Sequence, residues 1–233
     1  MTTDIETFHQ QAAAYAEKNS SPESPLLREL RKATAIELRY DDMLSGPLTG
    51  AVLRMMAGLT AARFVLEIGT FTGYGTLQIA SGMTSGGRII TCEANEKYAA
   101  IARRFFERFH KQQPSGPRID LLTGMALNVI REQNILESQP KPDLIFLDAD
   151  KENYPVYYEV LMPVLRPGGI MIIDNAFWGG KVWAEEAGEE HDRKGKAIDR
   201  MNRLISVDAR VENVLLPFRD GLQIVRKHPG VQT

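Results

Sequence analysis

The chain has a single cysteine, Cys92, and four scattered histidines, His9, His110, His191 and His228, in 233 residues. One cysteine excludes an internal disulfide and suits a reducing compartment. No histidine stands at the spacing of a zinc ligand set. Cys92 lies in an apolar stretch, where a small core residue is expected rather than a nucleophile. No apolar run approaches the roughly 20 residues of a membrane span, and the opening MTTDIETFHQ has no signal-peptide core. An excess of one charge is also missing. With 28 basic and 30 acidic side chains the net charge is −2, so neither nucleic acid nor an anionic membrane is expected as partner. What is present, 43% hydrophobic and 25% charged residues, is ordinary for a globular chain long enough for one α/β domain. A cytoplasmic enzyme or binding protein is the expectation.

The pattern along the chain divides near residue 60. Before it lie three helical stretches, residues 4 to 18, 26 to 40 and 48 to 59. The first carries Ile5, Phe8, Ala12 and Tyr15 on one face, and the second opens at Ser24-Pro25. These read as a helical cap over residues 1–60, with no linker long enough to set it apart. From Arg63 strands and helices alternate. The strands are 64–68, 88–92, 119–122, 143–147 and 170–174, and helices run to Ile79, from 95 to 109, from Ala126, and from 154 to 165. A polar loop (184–195), a helix (196–207) and a hairpin of 211–218 and 222–226 around Arg219-Asp220-Gly221 complete the chain. Alternation demands a mostly parallel sheet covered on both faces, and two consecutive final strands require one to run antiparallel. The fold class is therefore α/β, a doubly wound seven-stranded sheet over residues 61–233.

Chemistry gathers at the carboxyl ends of two strands, where such sheets build their ligand crevice. The run DLIFLDADK ends in Asp148 and Lys151, and the run IMIIDN ends in Asp174 and Asn175. If these strands are neighbours, two carboxylates and an amide carbonyl meet, a hard oxygen set suited to Mg²⁺ or Ca²⁺. The first strand-to-helix loop holds Gly69, Gly73 and Gly75, which fits neither the dinucleotide nor the triphosphate glycine pattern. Glu67 precedes that loop and would repel a phosphate but attract an ammonium. Glu93, ending the second strand, can accept from both hydroxyls of a ribose. Ribose and an amino-acid ammonium without phosphate describe S-adenosylmethionine.

The runs LEIGTFTGYG, CEANEK, FLDADKENY, RPGGIMIIDNAFWGGKV and RDGLQIVRK together resemble the cation-dependent O-methyltransferases of the caffeoyl-CoA and catechol type, from about Met43 to Lys227. The resemblance implies a class I methyltransferase-like fold and a homodimer. Residue by residue, it implies metal ligands (Mg²⁺, Ca²⁺ or Mn²⁺) at Asp148, Asp174 and Asn175. S-adenosylmethionine contacts are implied at Ser45, Glu67, Gly69, Thr70, Gly75, Glu93, Ala126 and Asp148. Lys151 matches the lysine beside the reacting hydroxyl, so it and Asp148 are the implied catalytic pair. The implied activity is methylation of one hydroxyl of a small vicinal-dihydroxy aromatic: a catechol, caffeoyl ester or flavonoid. One departure stands out: the family's Gly-Tyr-Ser is Gly73-Tyr74-Gly75 here, without the serine hydroxyl that would meet the methionine carboxylate.

Phe177, Trp178 and Trp183 read either as walls for a flat substrate or as packing or dimer contacts. The alternating charges of Glu185 to Lys196 read as a solvated loop. Two other functions fit less of the pattern. A methyltransferase fold kept as a binding module would not need Asp148, Lys151, Asp174 and Asn175 together. A nicotinamide-dependent oxidoreductase would need different loop glycines.

Overall fold

Seven strands form one sheet in the order β3-β2-β1-β4-β5-β7-β6 in a computed structural model that describes residues 5–39, 43–137, 139–183 and 192–230. The strands are β1 Phe64–Ile68, β2 Arg88–Glu93, β3 Arg118–Thr123, β4 Leu144–Leu147, β5 Ile170–Asp174, β6 Val211–Leu216 and β7 Leu222–Lys227. The first five run parallel, and β7 enters antiparallel between β5 and β6. The order reverses at β1 and β4. Their carboxyl ends therefore flank a crevice, as expected at a switch point of an open sheet.

The helices are α1 Ile5–Lys18, α2 Pro25–Leu38, α3 Gly46–Leu59, α4 Tyr74–Gly82, α5 Glu96–Gln112, α6 Ala126–Glu132, α7 Tyr154–Leu161 and α8 Arg193–Ser206. Side chains alternate across each strand and separate two cores. On one face Leu66, Ile68, Ile145, Leu147 and Met171 pack with Ile130, Tyr157, Leu161 and Met201 of α6, α7 and α8. On the other, Val65, Ile89, Leu144, Phe146 and Ile172 pack with Leu30, Leu53, Leu77, Phe105 and Phe106 of α2 to α5. Helices α2 and α3 thus share a core with the sheet. The apolar stripe of α1 does not enter it: Phe8 and Tyr15 are exposed.

Several boundaries differ from the sequence expectation, each for a local reason. Helix α7 stops at Leu161 rather than Leu165, because Pro163 has no N–H to continue the ladder. Helix α8 starts at Arg193 rather than Lys196, because Asp192 caps it by accepting from the Gly195 N–H. Asp143 precedes β4 instead of opening it. Its carboxylate accepts from the N–H groups of Arg63 and Phe64 and pairs with Arg166. Strand β6 ends two residues before Phe218. The second helix does start where expected, with Ser24 accepting from the Leu27 N–H at 3.3 Å. Residues 184–191, most of the expected charged loop, lie outside the described residues. Among the described residues no helix is long and apolar enough to cross a membrane. Cys92 is buried in the core, where its thiol is pushed up to about 12.

Candidate active site

A cavity of about 720 Å³ opens at the carboxyl ends of β1, β2, β4 and β5. Its wall includes Ser45, Gly69, Glu93, Ala126, Asp148, Lys151, Asp174 and Asn175. A narrow recess beside it is lined by Glu67, Thr70 and Gly75, and shares Ser45, Gly69 and Asp148 with the cavity. Every residue to which the resemblance assigns a metal, cofactor or catalytic role therefore borders one of these two adjoining spaces.

The recess is built around an acid in the core. Alternation along β1 turns Glu67 toward the apolar helices α2 to α5, and its side chain is fully buried. Thr76 and Thr91 both donate to Oε2, and Thr70 in turn bonds Thr91 at 2.5 Å. Oε1 is buried without a donor. Burial pushes the carboxyl up to about 8, with the nearby charges of Asp148 and Glu93 adding to the rise. A buried carboxyl oxygen that lacks a donor fits an ammonium. The Thr70 hydroxyl, committed to Thr91, belongs to the support of Glu67. Gly69 and Thr70 both spend their N–H groups on the Cys92 carbonyl at 3.1 Å, which ties the loop to β2.

Two loop glycines are required for different reasons. Gly69 has φ +100°, and a Cβ there would come within 2.0 Å of the Asp148 carbonyl oxygen. Only glycine lets the loop after β1 lie against the end of β4. Gly75 is in the first turn of α4, where a Cβ would stand 2.9 Å from Glu67 Oε1 and 3.2 Å from Phe146. The side chain that the resemblance expects at this position would thus crowd a buried carboxyl, and glycine avoids that contact.

Glu93 ends β2 with each oxygen already accepting one backbone N–H: Oε2 from Phe71 at 2.7 Å and Oε1 from Asn95 at 2.8 Å. A carboxylate oxygen accepts more than one hydrogen bond, so both remain able to meet a diol. Burial raises the Glu93 pKa. Phe71 and Tyr98 meet edge to face at 4.8 Å and, with Met125, line the same part of the cavity. Composition did not single out these three. The left-handed backbone of Phe71 is not visible in a sequence either.

The other end of the cavity holds the acids. Strands β4 and β5 are parallel neighbours, which brings Asp148 and Asp174 to adjacent strand ends. Asp174 is buried, and burial, followed by the Asp148 charge, holds its carboxyl well above the usual range. Lys151 lies on a single 3₁₀ turn, Lys151–Asn153, and is buried too. Its ammonium donates to Asp148 Oδ1 at 2.6 Å and to the Tyr154 hydroxyl at 2.5 Å. Tyr154 in turn donates to the Asp174 carbonyl at 3.3 Å. Lys151 is therefore not a solvated surface side chain. Asn175 follows Asp174 with φ +59°, a left-handed conformation that asparagine tolerates.

Two acids crowd a buried corner with Lys151 and Arg219 as nearby cations, and the cavity wall as a whole carries more acidic than basic side chains. Asp148, Asp174 and the amide oxygen of Asn175 are hard donors of the kind Mg²⁺ takes, and they fit such an ion. Among the described residues no three His, Cys, Asp or Glu side chains form a metal-sized group, so the amide would complete the set. Trp178 lines the cavity, whereas Trp183 packs edge to face on Phe177 at 5.3 Å. Of the three aromatics that could wall a flat substrate, Trp178 alone borders the space.

The sequence profile described as O-methyltransferase matches residues 17–228. Tricin synthase 2 of rice (Oryza sativa subsp. japonica) is 33% identical over 211 residues, 88% of this chain and 70% of that protein. The catechol O-methyltransferase domain-containing protein 1 of Mus musculus is 32% identical over 213 residues, 91% of this chain and 78% of its own. Among solved structures, an O-methyltransferase from Bacillus cereus in complex with SAH superposes with a TM-score of 0.82 at 32% identity, covering 93% of this chain and 97% of that one.

Proposed function

The chain belongs to the O-methyltransferase family, and from that premise we propose that it methylates one of two vicinal hydroxyls on a small aromatic with the help of a divalent cation. Methyl transfer from S-adenosylmethionine is the family's chemistry, and the relative of known structure was solved with SAH, the spent form of that donor. The observation that carries the finer reading is the pairing of Asp148 and Asp174 at adjacent strand ends, with Asn175 beside them and Lys151 buried against Asp148. The name of the mouse relative, which contains catechol, points the same way.

Asp148, Asp174 and Asn175 would hold the ion. A divalent cation at that place lowers the pKa of a bound hydroxyl and lines up two neighbouring oxygens. The remaining work belongs to the chain. Glu93 accepts from the ribose hydroxyls of the donor, and Glu67 Oε1 accepts from its ammonium. With the ribose and the ammonium gripped at separate points, the methyl is presented in one direction, which removes rotational freedom before reaction. Lys151 takes the proton of the attacking hydroxyl. To do so it must first give its own proton to solvent and act as the neutral amine, and the Tyr154 hydroxyl beside it holds the nitrogen at the cavity wall. Trp178 borders the space in which a planar ring would lie. A homodimer formed through the face of α1 that exposes Phe8 and Tyr15 is part of the same proposal, and light scattering on the purified chain tests it.

The test is a methyl-transfer screen over catechols, caffeoyl esters and flavonoids, with and without chelator. Turnover of a vicinal diol that stops with chelator, returns with Mg²⁺ and is absent in Asp174→Ala supports the reading. Chelator-insensitive transfer by the unmodified chain would refute the role of the ion.

A further inference from the structure

The turn between β6 and β7 reaches over the end of β5, and Asp220 at its tip is held from several directions. Its Oδ1 accepts from the Gly179 N–H at 2.6 Å, and its Oδ2 accepts from Asn175 Nδ2 at 3.2 Å. Its main-chain oxygen accepts from the Phe177 N–H at 2.8 Å, and the next carbonyl, of Gly221, accepts from Ala176 at 3.0 Å. Gly221 has φ +83°, and a Cβ there would strike the Phe177 backbone at 2.8 Å. The turn and the loop after β5 are therefore pressed together, with the Asp220 carboxylate as their polar contact.

A carboxylate only accepts hydrogen bonds, whereas the two branches of an asparagine amide are nearly equal in size and opposite in chemistry. Packing cannot tell them apart, but a carboxylate can, because only the NH₂ branch is tolerated against it. We propose that Asp220 is a positioning residue that fixes the Asn175 amide with its NH₂ toward the turn and its carbonyl Oδ1 toward the ion site formed with Asp148 and Asp174. This rests on the cation reading above. A hard cation accepts an oxygen and is repelled by an NH₂ group, so the amide must point one way for Asn175 to serve. Asp220 does this without touching the ion, in the manner of partners that orient metal ligands from behind.

A reciprocal exchange separates this role from a merely structural one. In Asp220→Asn, the new Oδ1 still accepts from Gly179, and its Nδ2 then faces Asn175 Nδ2, donor against donor. The Asn175 amide must turn over and present NH₂ to the site. Adding Asn175→Asp restores a donor-to-acceptor pair, now running from position 220 to position 175. Binding of Mn²⁺ alone to the full chain, followed by electron paramagnetic resonance of the free ion, reads the effect, with thermal unfolding alongside. We expect Asp220→Asn to weaken Mn²⁺ binding about ten- to a hundredfold, and the double variant to bind more tightly than either single variant. Should Asp220→Asn not fold, the comparison of Asn175→Asp with the double variant carries the test, since the two acids of the former oppose each other. Equal binding by wild type and Asp220→Asn overturns the proposal while leaving the cation reading standing. A double variant no tighter than the single ones also overturns it, and is the result expected if Asp220 were itself a ligand. A wild-type chain that binds no Mn²⁺ overturns both.

Discussion

Lys151 folds back one 3₁₀ turn to place its ammonium 2.6 Å from the Asp148 carboxylate that closes β4. The pair is nearly out of solvent, with 9% and 19% of the side-chain surfaces exposed. An ion bound at Asp148 and this lysine would compete for the same oxygen. Lys151→Met removes the amine and keeps the apolar stem. We expect the chemical step to slow about 10²–10⁴-fold, as for loss of a general base, with part of the rate recovered at high pH where the substrate ionises unaided. Divalent cation binding should not weaken, because the variant takes away a competitor. Single-turnover rates over a pH series check the first expectation, and a wild-type rate at neutral pH would leave Lys151 no part in proton transfer.

Glu93 is expected to hold the ribose of the methyl donor. Glu93→Gln keeps one acceptor oxygen but loses charge, and turns an NH₂ toward either a hydroxyl or a backbone N–H. Hydrogen bonds to charged groups contribute about 1.5–3 kcal/mol, so affinity for S-adenosylmethionine should drop on the order of ten- to a hundredfold. Titration calorimetry decides, and an unchanged affinity would take the ribose away from Glu93.

Glu67 should make the stability of the ligand-free chain depend on pH. Its carboxyl ionises near 8 in the folded chain against an ordinary 4.5. Between those values the folded state keeps a proton that the unfolded state has released, so this contribution to stability falls as pH rises from 4.5 toward 8. Glu67→Gln is neutral throughout and should flatten that part of the profile. Melting temperatures from pH 5 to 8 report it, and parallel slopes for the two proteins would contradict a protonated Glu67.

Gly75 leaves no space for a Cβ beside Glu67 Oε1. Gly75→Ala should destabilise by about 1–3 kcal/mol, the usual cost of overpacking. Gly75→Ser adds the same carbon, but its hydroxyl can donate to the orphaned Oε1 and offset part of the strain. Denaturant unfolding should therefore rank glycine above serine and serine above alanine. Alanine at least as stable as serine would mean that Oε1 already has a partner.

Lys227, at the end of β7, is fully buried, and donates to the carbonyls of Met162, Pro163 and Leu165 at 3.0, 3.2 and 2.9 Å. These carbonyls follow the end of α7 at Leu161, where no further helical turn supplies them with donors. Lys227→Met should cost about 1.5–3 kcal/mol, read as a lower urea midpoint, with cofactor affinity unchanged.

The parts of this site that could be read in the sequence are those set by short-range pattern. Strands β1 to β5 show as apolar runs, and parallel pairing follows from the helices between them, so the meeting of Asp148, Asp174 and Asn175 could be anticipated. Glu67 could be placed before the loop but not known to be buried, because its exposure depends on which face of β1 meets α4. Asp220 was visible only as a turn residue. Its task arises from a contact across 45 positions, made because β7 inserts between β5 and β6. Tyr154 read as a helix residue, and only the packing of α7 brings its hydroxyl to Lys151.

Arg219 donates to the Ser45 carbonyl at 2.8 Å, across 174 positions, beside the Asp220 contact with Asn175. Early and late parts of the chain are thus knotted at one rim of the cavity, and the order of events during synthesis on the ribosome follows. Strands β1 to β5 can emerge and pair while the cavity still lacks this wall. Only when β6 and β7 have followed and docked does Asn175 find its partner and the loop at Ser45 its anchor. A nascent chain arrested before residue 216 would hold both acids yet be unable to present the amide, so competence for an ion should appear late and abruptly as the chain lengthens.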